Sequence, residues 1–182
     1  SEEAFMPFSV GGGIKTVEQA CDFIKNGAEK IILNSNALLN PKLIEDCAKE
    51  IGEQAVVVSI DIKKNIFGNY KVYGNNGNKN SNYDPIFWSK KVEEMGAGEI
   101  LLTDIKKDGT MQGYNLDLIK LITSQVKIPV ICCGGAGNFS HFKDAINVGS
   151  HAVAAGSIFV YHGPRNAVLI NYPSQEEINR IF

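Results

Sequence analysis

The chain has 182 residues, 44% hydrophobic and 21% charged, the balance of an ordinary globular protein and enough for one domain. Its 18 basic and 20 acidic residues leave a net charge of −2, which gives no electrostatic case for nucleic acid or an anionic membrane as partner. The longest apolar runs, such as Ala55-Val56-Val57-Val58, fall far short of the ~20 residues needed to span a bilayer. No signal peptide is visible and the four cysteines form no CxxC pair, so free thiols in a reducing cytoplasm are expected.

In chain order, six short apolar runs alternate with helical patterns. The runs are Phe8–Val10, Lys30–Leu33, Ala55–Asp61, Glu99–Thr103, Val130–Cys133 and Ala152–Ala155. Thr16 is placed to cap a helix over Val17–Asn26, which Gly27 ends. Asn40-Pro41 predicts a cap and start for Lys42–Ile51, and Asp84-Pro85 does the same for Ile86–Met95. Phe87 and Trp88 on that last helix read as core. Further helices are expected over Asn115–Ser124, Ser140–Val148 and Ser174–Arg180. Strand–helix alternation with near-continuously apolar strands predicts a parallel sheet covered by helices.

One insertion breaks the rhythm. Residues Ile62–Tyr83 form a long polar stretch rich in asparagine, with Tyr70–Tyr73 as a candidate hairpin strand. Its position after a strand fits either a ligand-covering flap or a plain surface loop.

The chain also repeats itself. Residues 7–38 superpose on 129–160 at an offset of 122 without a gap, placing Pro7 on Pro129, Gly12-Gly13 on Gly134-Gly135, Asp22 on Asp144, Gly27 on Gly149 and Ser35 on Ser157. Each copy reads proline, strand, glycine-rich turn, helix, glycine, strand, small polar residues. A glycine-rich turn lets backbone N–H groups approach an anion closely. Each pair by itself reads as a tight turn; two equivalent pairs at one offset point to a duplicated half-barrel and a ligand with a phosphate at each end. Asp108-Gly109-Thr110, after the Glu99–Thr103 strand, adds donors for one of them.

Asp61 closes its predicted strand and shares a face with Val57 and Ser59. It is either a turn-capping aspartate or a general acid/base. Lys30 and Glu99 begin strands; by parity, if Asn34 and Thr103 point inward at one end, Lys30 and Glu99 point inward at the other. Both are otherwise solvated strand starts. His141, His151 and His162 show no metal-ligand spacing, and no metal or cofactor is expected.

Several segments together resemble one family: Pro7–Ile14 with its three glycines, Ala55–Asp61, Gly96–Thr103, Asp108-Gly109-Thr110 with Gly113-Tyr114, and Gly134-Gly135-Ala136-Gly137. They are similar to the cyclase subunit of imidazole glycerol phosphate synthase, a (βα)₈ TIM barrel of histidine biosynthesis. The resemblance implies one α/β domain over residues 1–182 with about six βα units of the barrel. It implies a lyase that joins ammonia from a glutaminase partner to a bisphosphorylated ribulosyl substrate and cyclises the product. It assigns Asp61 as acid/base; Gly12, Gly13, Asn34, Ser35, Thr103, Asp108, Gly109, Thr110, Gly134, Gly135, Gly156 and Ser157 to substrate and phosphate; and Lys30 and Glu99 to a charged ring at the ammonia entrance.

Three departures from the pattern carry expectations of their own. The chain begins at what resembles the third strand of a barrel that needs ~250 residues. The first two βα units are then absent, and with them the aspartate that the family uses on its first strand as the partner acid/base and the rest of the charged ring. Low activity alone and self-association through open strand edges are expected. The stretch His162–Pro173 looks more like paralogues encoded with surface-polysaccharide genes, which are thought to supply ammonia for amidination of a sugar. The flap differs too, with Lys79–Tyr83 where the family has a Thr-Gly pair. A non-catalytic, phosphate-binding partner of the glutaminase is a third reading.

Overall fold

The computed structural model describes residues 6–163 and 167–181. Six parallel strands pair in the order of the chain: β1 (Ser9–Gly11), β2 (Lys30–Leu33), β3 (Val56–Lys64), then β6 (Glu99–Asp104), β7 (Val130–Cys133) and β8 (Ala152–Ala154). Every neighbouring pair on this path is parallel. This is the (βα)-unit order of a partial TIM barrel. β1 and β8 form its two edges.

Helices α1 (Val17–Lys25), α3 (Lys42–Ile51), α4 (Pro85–Glu94), α5 (Leu116–Thr123) and α6 (Phe139–Asn147) fill the crossovers. Side-chain oxygens satisfy the first free amides of four of them. Thr16 Oγ1 accepts from Gln19 N–H, Asp84 Oδ1 from Ile86 and Phe87, Asn115 Oδ1 from Leu118, and Asn138 Oδ1 from His141. The expected Asn40 cap is not made: α3 starts behind Pro41 without a side-chain cap, because Asn40 closes the preceding short helix, its N–H donating to Asn36 O.

Two short helices escape the sequence pattern. α2 (Ser35–Leu39) follows β2 and α7 (Ser157–Val160) follows β8. They stand at equivalent places in the two repeats.

Alternation along the strands divides the sheet into two faces. Val56, Val58, Ile60 and Ile62 of β3, Ile31 and Leu33 of β2, Ile100 and Leu102 of β6, and Val130 and Cys132 of β7 are buried in the core shared with the helices. The opposite set, with Lys30, Ile32, Ser59, Asp61, Glu99, Leu101, Thr103, Ile131 and Cys133, is only half-buried. Val57 is the buried exception on that face. Trp88 lies in the core as expected and stacks on Tyr83 at 4.9 Å between ring centroids. Phe87 does not. It is about half exposed and covers the outer side of Tyr83, because one helical position of rotation carries it off the core-facing stripe.

The insertion is an ordered arm. β3 continues to Lys64, turns, and returns as antiparallel β4 (Tyr70–Gly74), to which β5 (Lys79–Asn80) pairs. Asp61 is therefore not at a strand end. It pairs with Thr103 of β6 on one side and Tyr73 of β4 on the other. After α7, β9 (Tyr161–His162) and β10 (Ala167–Val168) form a small antiparallel ribbon, and α8 (Gln175–Ile181) follows.

Candidate functional site

The half-buried face of the sheet carries polar residues at both ends and apolar residues between them. At the end where the parallel strands finish, Asn34, Asp61, Thr103 and Cys133 project from neighbouring strands. Asp61 is aligned with Thr103, and Thr103 with Cys133. Asn34 Nδ2 donates to the carbonyl of Ser59 at 3.2 Å, and Ser59 Oγ donates to Asp61 Oδ1 at 3.3 Å. Burial pushes the Asp61 carboxyl above its usual range, while hydrogen bonds from Asn34 and Ser59 pull against that rise. A carboxyl raised in this way holds a proton more readily than an exposed one.

Cys133 was not singled out by sequence reasoning. Burial raises its thiol pKa, and Asp108 and Asp61 add to the rise through their charges, so the thiol stays protonated beside the carboxylates. Its parity with Ile131 on β7 was the available signal.

At the opposite end, Lys30 Nζ and Glu99 Oε1 form an ion pair at 2.5 Å, with side chains 25% and 20% exposed. Their strands are separated by β3, so the pair reaches across that strand, where Glu99 is level with Val57. The two residues neutralise each other inside the sheet's concave mouth rather than standing as separate solvated charges.

The two glycine turns differ in how they are closed. Gly134, Gly135, Gly156 and Ser157 line one small recess together with Asp108, Gly109 and Cys133. Here the backbone is tightly nested. A Cβ on Gly135 would sit 2.4 Å from the Gly113 carbonyl, and Gly113 N–H donates to Gly135 O at 2.7 Å. Gly134 and Gly135 both have positive φ, at 89° and 111°. Thr110 stands outside this recess, its hydroxyl donating to Lys107 O at 2.7 Å.

The first turn has the same backbone signs, φ 102° at Gly12 and 74° at Gly13, but among the described residues a Cβ on either would meet no atom within 4 Å. Ser35 is not drawn into one recess with them. It lines a larger cleft of about 640 Å³ between α2 and the arm, with Leu38, Asn75, Lys79 and Tyr83. Ser35 Oγ donates to Asn34 Oδ1 at 3.0 Å and accepts from Asn75 N–H at 2.8 Å.

A second polar network fixes the base of the arm. Asn115 Nδ2 donates to Tyr70 OH at 2.8 Å and to Asp104 Oδ2 at 2.6 Å. Asp104 is buried, and its Oδ1 accepts from Lys106 N–H. His141 and His151 accept backbone N–H bonds, from Gly137 and Val130; the His162 side chain lies outside the described residues. Among the described residues no cluster of three metal-ligating side chains occurs, and no helix is long and apolar enough to cross a membrane.

The model of the family described as "Histidine biosynthesis protein" matches residues 1–164. The chain belongs to this family. Family membership covers nine-tenths of the sequence, including the glycine turns, Asp61 and the Lys30–Glu99 pair. The imidazole glycerol phosphate synthase subunit HisF of Alkaliphilus metalliredigens is 46% identical over 163 residues, 89% of this chain and 65% of that protein. The subunit of the same name in Petrotoga mobilis is 47% identical over 162 residues, 88% of this chain and 64% of that protein. A Leptospira interrogans protein given that subunit name provisionally is 45% identical over 184 residues, matching 100% of this chain and 72% of its own length. The chain thus spans just under two thirds of the first two family members.

Proposed function

We propose that the chain forms the phosphate-binding and proton-transfer part of a cyclase subunit of imidazole glycerol phosphate synthase. The carrying observation is the placement of Asp61 between two related glycine turns at one end of a parallel sheet, with the Lys30–Glu99 pair at the other end. Strand C-terminal ends are where barrel enzymes hold their substrates.

In this reading a bisphosphorylated ribulosyl substrate lies across the face. One phosphate takes backbone N–H groups from Gly134-Gly135 and Gly156-Ser157, with Asp108-Gly109 beside it. The other takes Gly12-Gly13 with Asn34 and Ser35. Asp61, raised by burial and oriented by Ser59, removes and returns protons as ammonia adds and the ring closes. Thr103 lies beside it. Ammonia from a glutaminase partner enters past Lys30 and Glu99, whose ion pair must part or shift to admit it.

The test is ammonium-dependent turnover of the bisphosphorylated substrate by the protein, with and without the glutaminase. Activity that falls ~10²–10⁴-fold in Asp61→Asn supports the reading. Unchanged activity in that variant removes Asp61 from the chemistry. Crystals soaked in inorganic phosphate are expected to hold anions at both turns; anions at neither place speak against the substrate assignment.

A second reading is favoured by one observation. The alignment to the Leptospira interrogans relative runs to the end of the chain, while those to the Alkaliphilus and Petrotoga proteins cover 163 and 162 residues. A likeness that takes in the C-terminal ribbon and helix suits an ammonia-delivering paralogue acting in amidination of a surface sugar. Growth without histidine of a strain lacking its own cyclase subunit, when given the reading frame that encodes this chain, favours the first reading over the second.

A further inference from the structure

Among the large apolar side chains left bare in the described chain, those that adjoin one another in sequence form two patches, both on segments that leave the same end of the sheet. The first is the tip of the β3–β4 hairpin, where Ile66 is 93% and Phe67 80% exposed. This turn is fixed. Asn65 Oδ1 accepts from the N–H groups of Phe67 and Asn69 at 2.9 and 3.0 Å, and Gly68 N–H donates to Asn65 O at 3.0 Å. Apolar groups held on a rigid turn lose little further freedom on being buried, so they serve as a pre-organised anchor. The surroundings are basic. From Ile62 to Tyr83 there are four lysines and no acidic residue, in a chain whose net charge is −2. Lys63 and Lys64 lie over the rings of Tyr73 and Tyr70, at 4.2 and 4.9 Å, which keeps their charge close to the hairpin.

The second place is the C-terminal ribbon. Val168, Leu169, Ile170 and Tyr172 are each 60–72% exposed. Their backbone is nonetheless docked: Leu169 N–H donates to Val160 O and Asn171 N–H to Phe159 O, both at 2.9 Å. Directly behind them Glu176 and Glu177 open α8. One surface is apolar with basic flanks, the other apolar with acidic flanks.

We propose that two copies of this chain associate by exchanging these surfaces, the Ile66-Phe67 tip of one seated on the Val168–Tyr172 ribbon of the other, with lysines of the arm facing the acidic start of α8. The arm prolongs β3 beyond Asp61, and the ribbon follows α7, which follows β8, so both lie at the same end of the sheet. With both patches at one end, the proposed exchange is reciprocal, each copy giving a tip and a ribbon, and so forms a closed two-fold pair. Burial of both patches removes the exposed apolar surface that a soluble monomer rarely keeps. This pairing is independent of what the active face binds, and distinct from association through the edges of β1 and β8.

The experiment is sedimentation velocity across a wide concentration range on the full chain and on two double variants, Ile66→Ser with Phe67→Ser and Val168→Ser with Ile170→Ser. All four side chains are exposed, so circular dichroism should stay unchanged. Each variant alone is expected to weaken association about tenfold or more. An equimolar mixture of the two restores part of it, because one intact tip and one intact ribbon still meet while the second contact stays broken. Lys64→Glu weakens the pair and added Glu176→Lys recovers it. A monomer at every concentration overturns the proposal. So does association indifferent to the variants, which points to the strand edges, or a loss in one variant only.

Discussion

The backbone N–H of Asn75 donates to Ser35 Oγ over 2.8 Å, joining the arm to the turn after β2 across 40 residues of sequence. The same hydroxyl donates to Asn34 Oδ1. One side chain thus ties the arm to Asn34 at the end of β2. Ser35→Ala removes both bonds and leaves Asn75 N–H facing the solvent-accessible cleft. A stability loss of about 1 kcal/mol is expected in urea denaturation. Hydrogen exchange at the Asn75 amide should speed up while exchange in β6 and β7 stays unchanged. Equal acceleration across the sheet refutes a local latch.

Asp61 gives a prediction with a definite sign. Its folded pKa is raised, chiefly by burial. Between its unfolded and folded values the folded state binds more protons, so ionisation destabilises the fold as pH rises through that window. Asp61→Asn should therefore stabilise the protein at neutral pH, with the gain vanishing in acid below the usual carboxylate range. Ser59→Ala removes a hydrogen bond that holds the pKa down, so the carboxyl should titrate higher still. Carbon-detected NMR titration of the Asp61 carboxyl measures this without requiring turnover. A downward shift in Ser59→Ala contradicts the bond's assigned role.

The Lys30–Glu99 pair should matter more for ammonia passage than for stability. Lys30→Met leaves a partly exposed carboxylate without its cation. Water still reaches it, so the cost is expected near ~1 kcal/mol, well short of breaking a fully buried pair. Glutamine-dependent turnover should change by a larger factor than turnover with added ammonium. Equal changes in both assays place the pair outside the ammonia route.

Glycine substitutions should separate a closed turn from an open one. Gly135→Ala places a Cβ 2.4 Å from the Gly113 carbonyl at φ 111°, and backbone cannot move aside cheaply. A loss of ~3 kcal/mol or more is expected. Gly13→Ala at φ 74° meets nothing within 4 Å among the described residues, so only conformational strain of ~1 kcal/mol applies. Similar melting temperatures for the two variants count against the nesting of the second turn.

Much of the architecture was carried by local pattern. Six strand runs, their helices and the caps at Thr16 and Asp84 follow from residues within a few positions of each other, and alternation put Asp61 on the face of Ser59. The repeat placed both glycine turns. Tertiary structure decided what local pattern leaves open. α2 and α7 are too short for periodicity to reveal. Asp61 lies mid-strand because the antiparallel arm prolongs β3, a pairing set by contacts that no single segment encodes. Phe87 misses the core because the helix's rotation, fixed by packing, carries it outward. The two turns are alike in sequence yet unequal in space, because the Asp108–Gly113 loop closes over Gly135 while none of the described residues stands within 4 Å of the Cβ positions of Gly12 and Gly13. Lys30 meets Glu99 across 69 residues, and Ser35 meets Asn75 across 40. Composition and periodicity report how a segment folds on itself; which side chains then meet depends on strand order and register, which exist only once the sheet has formed.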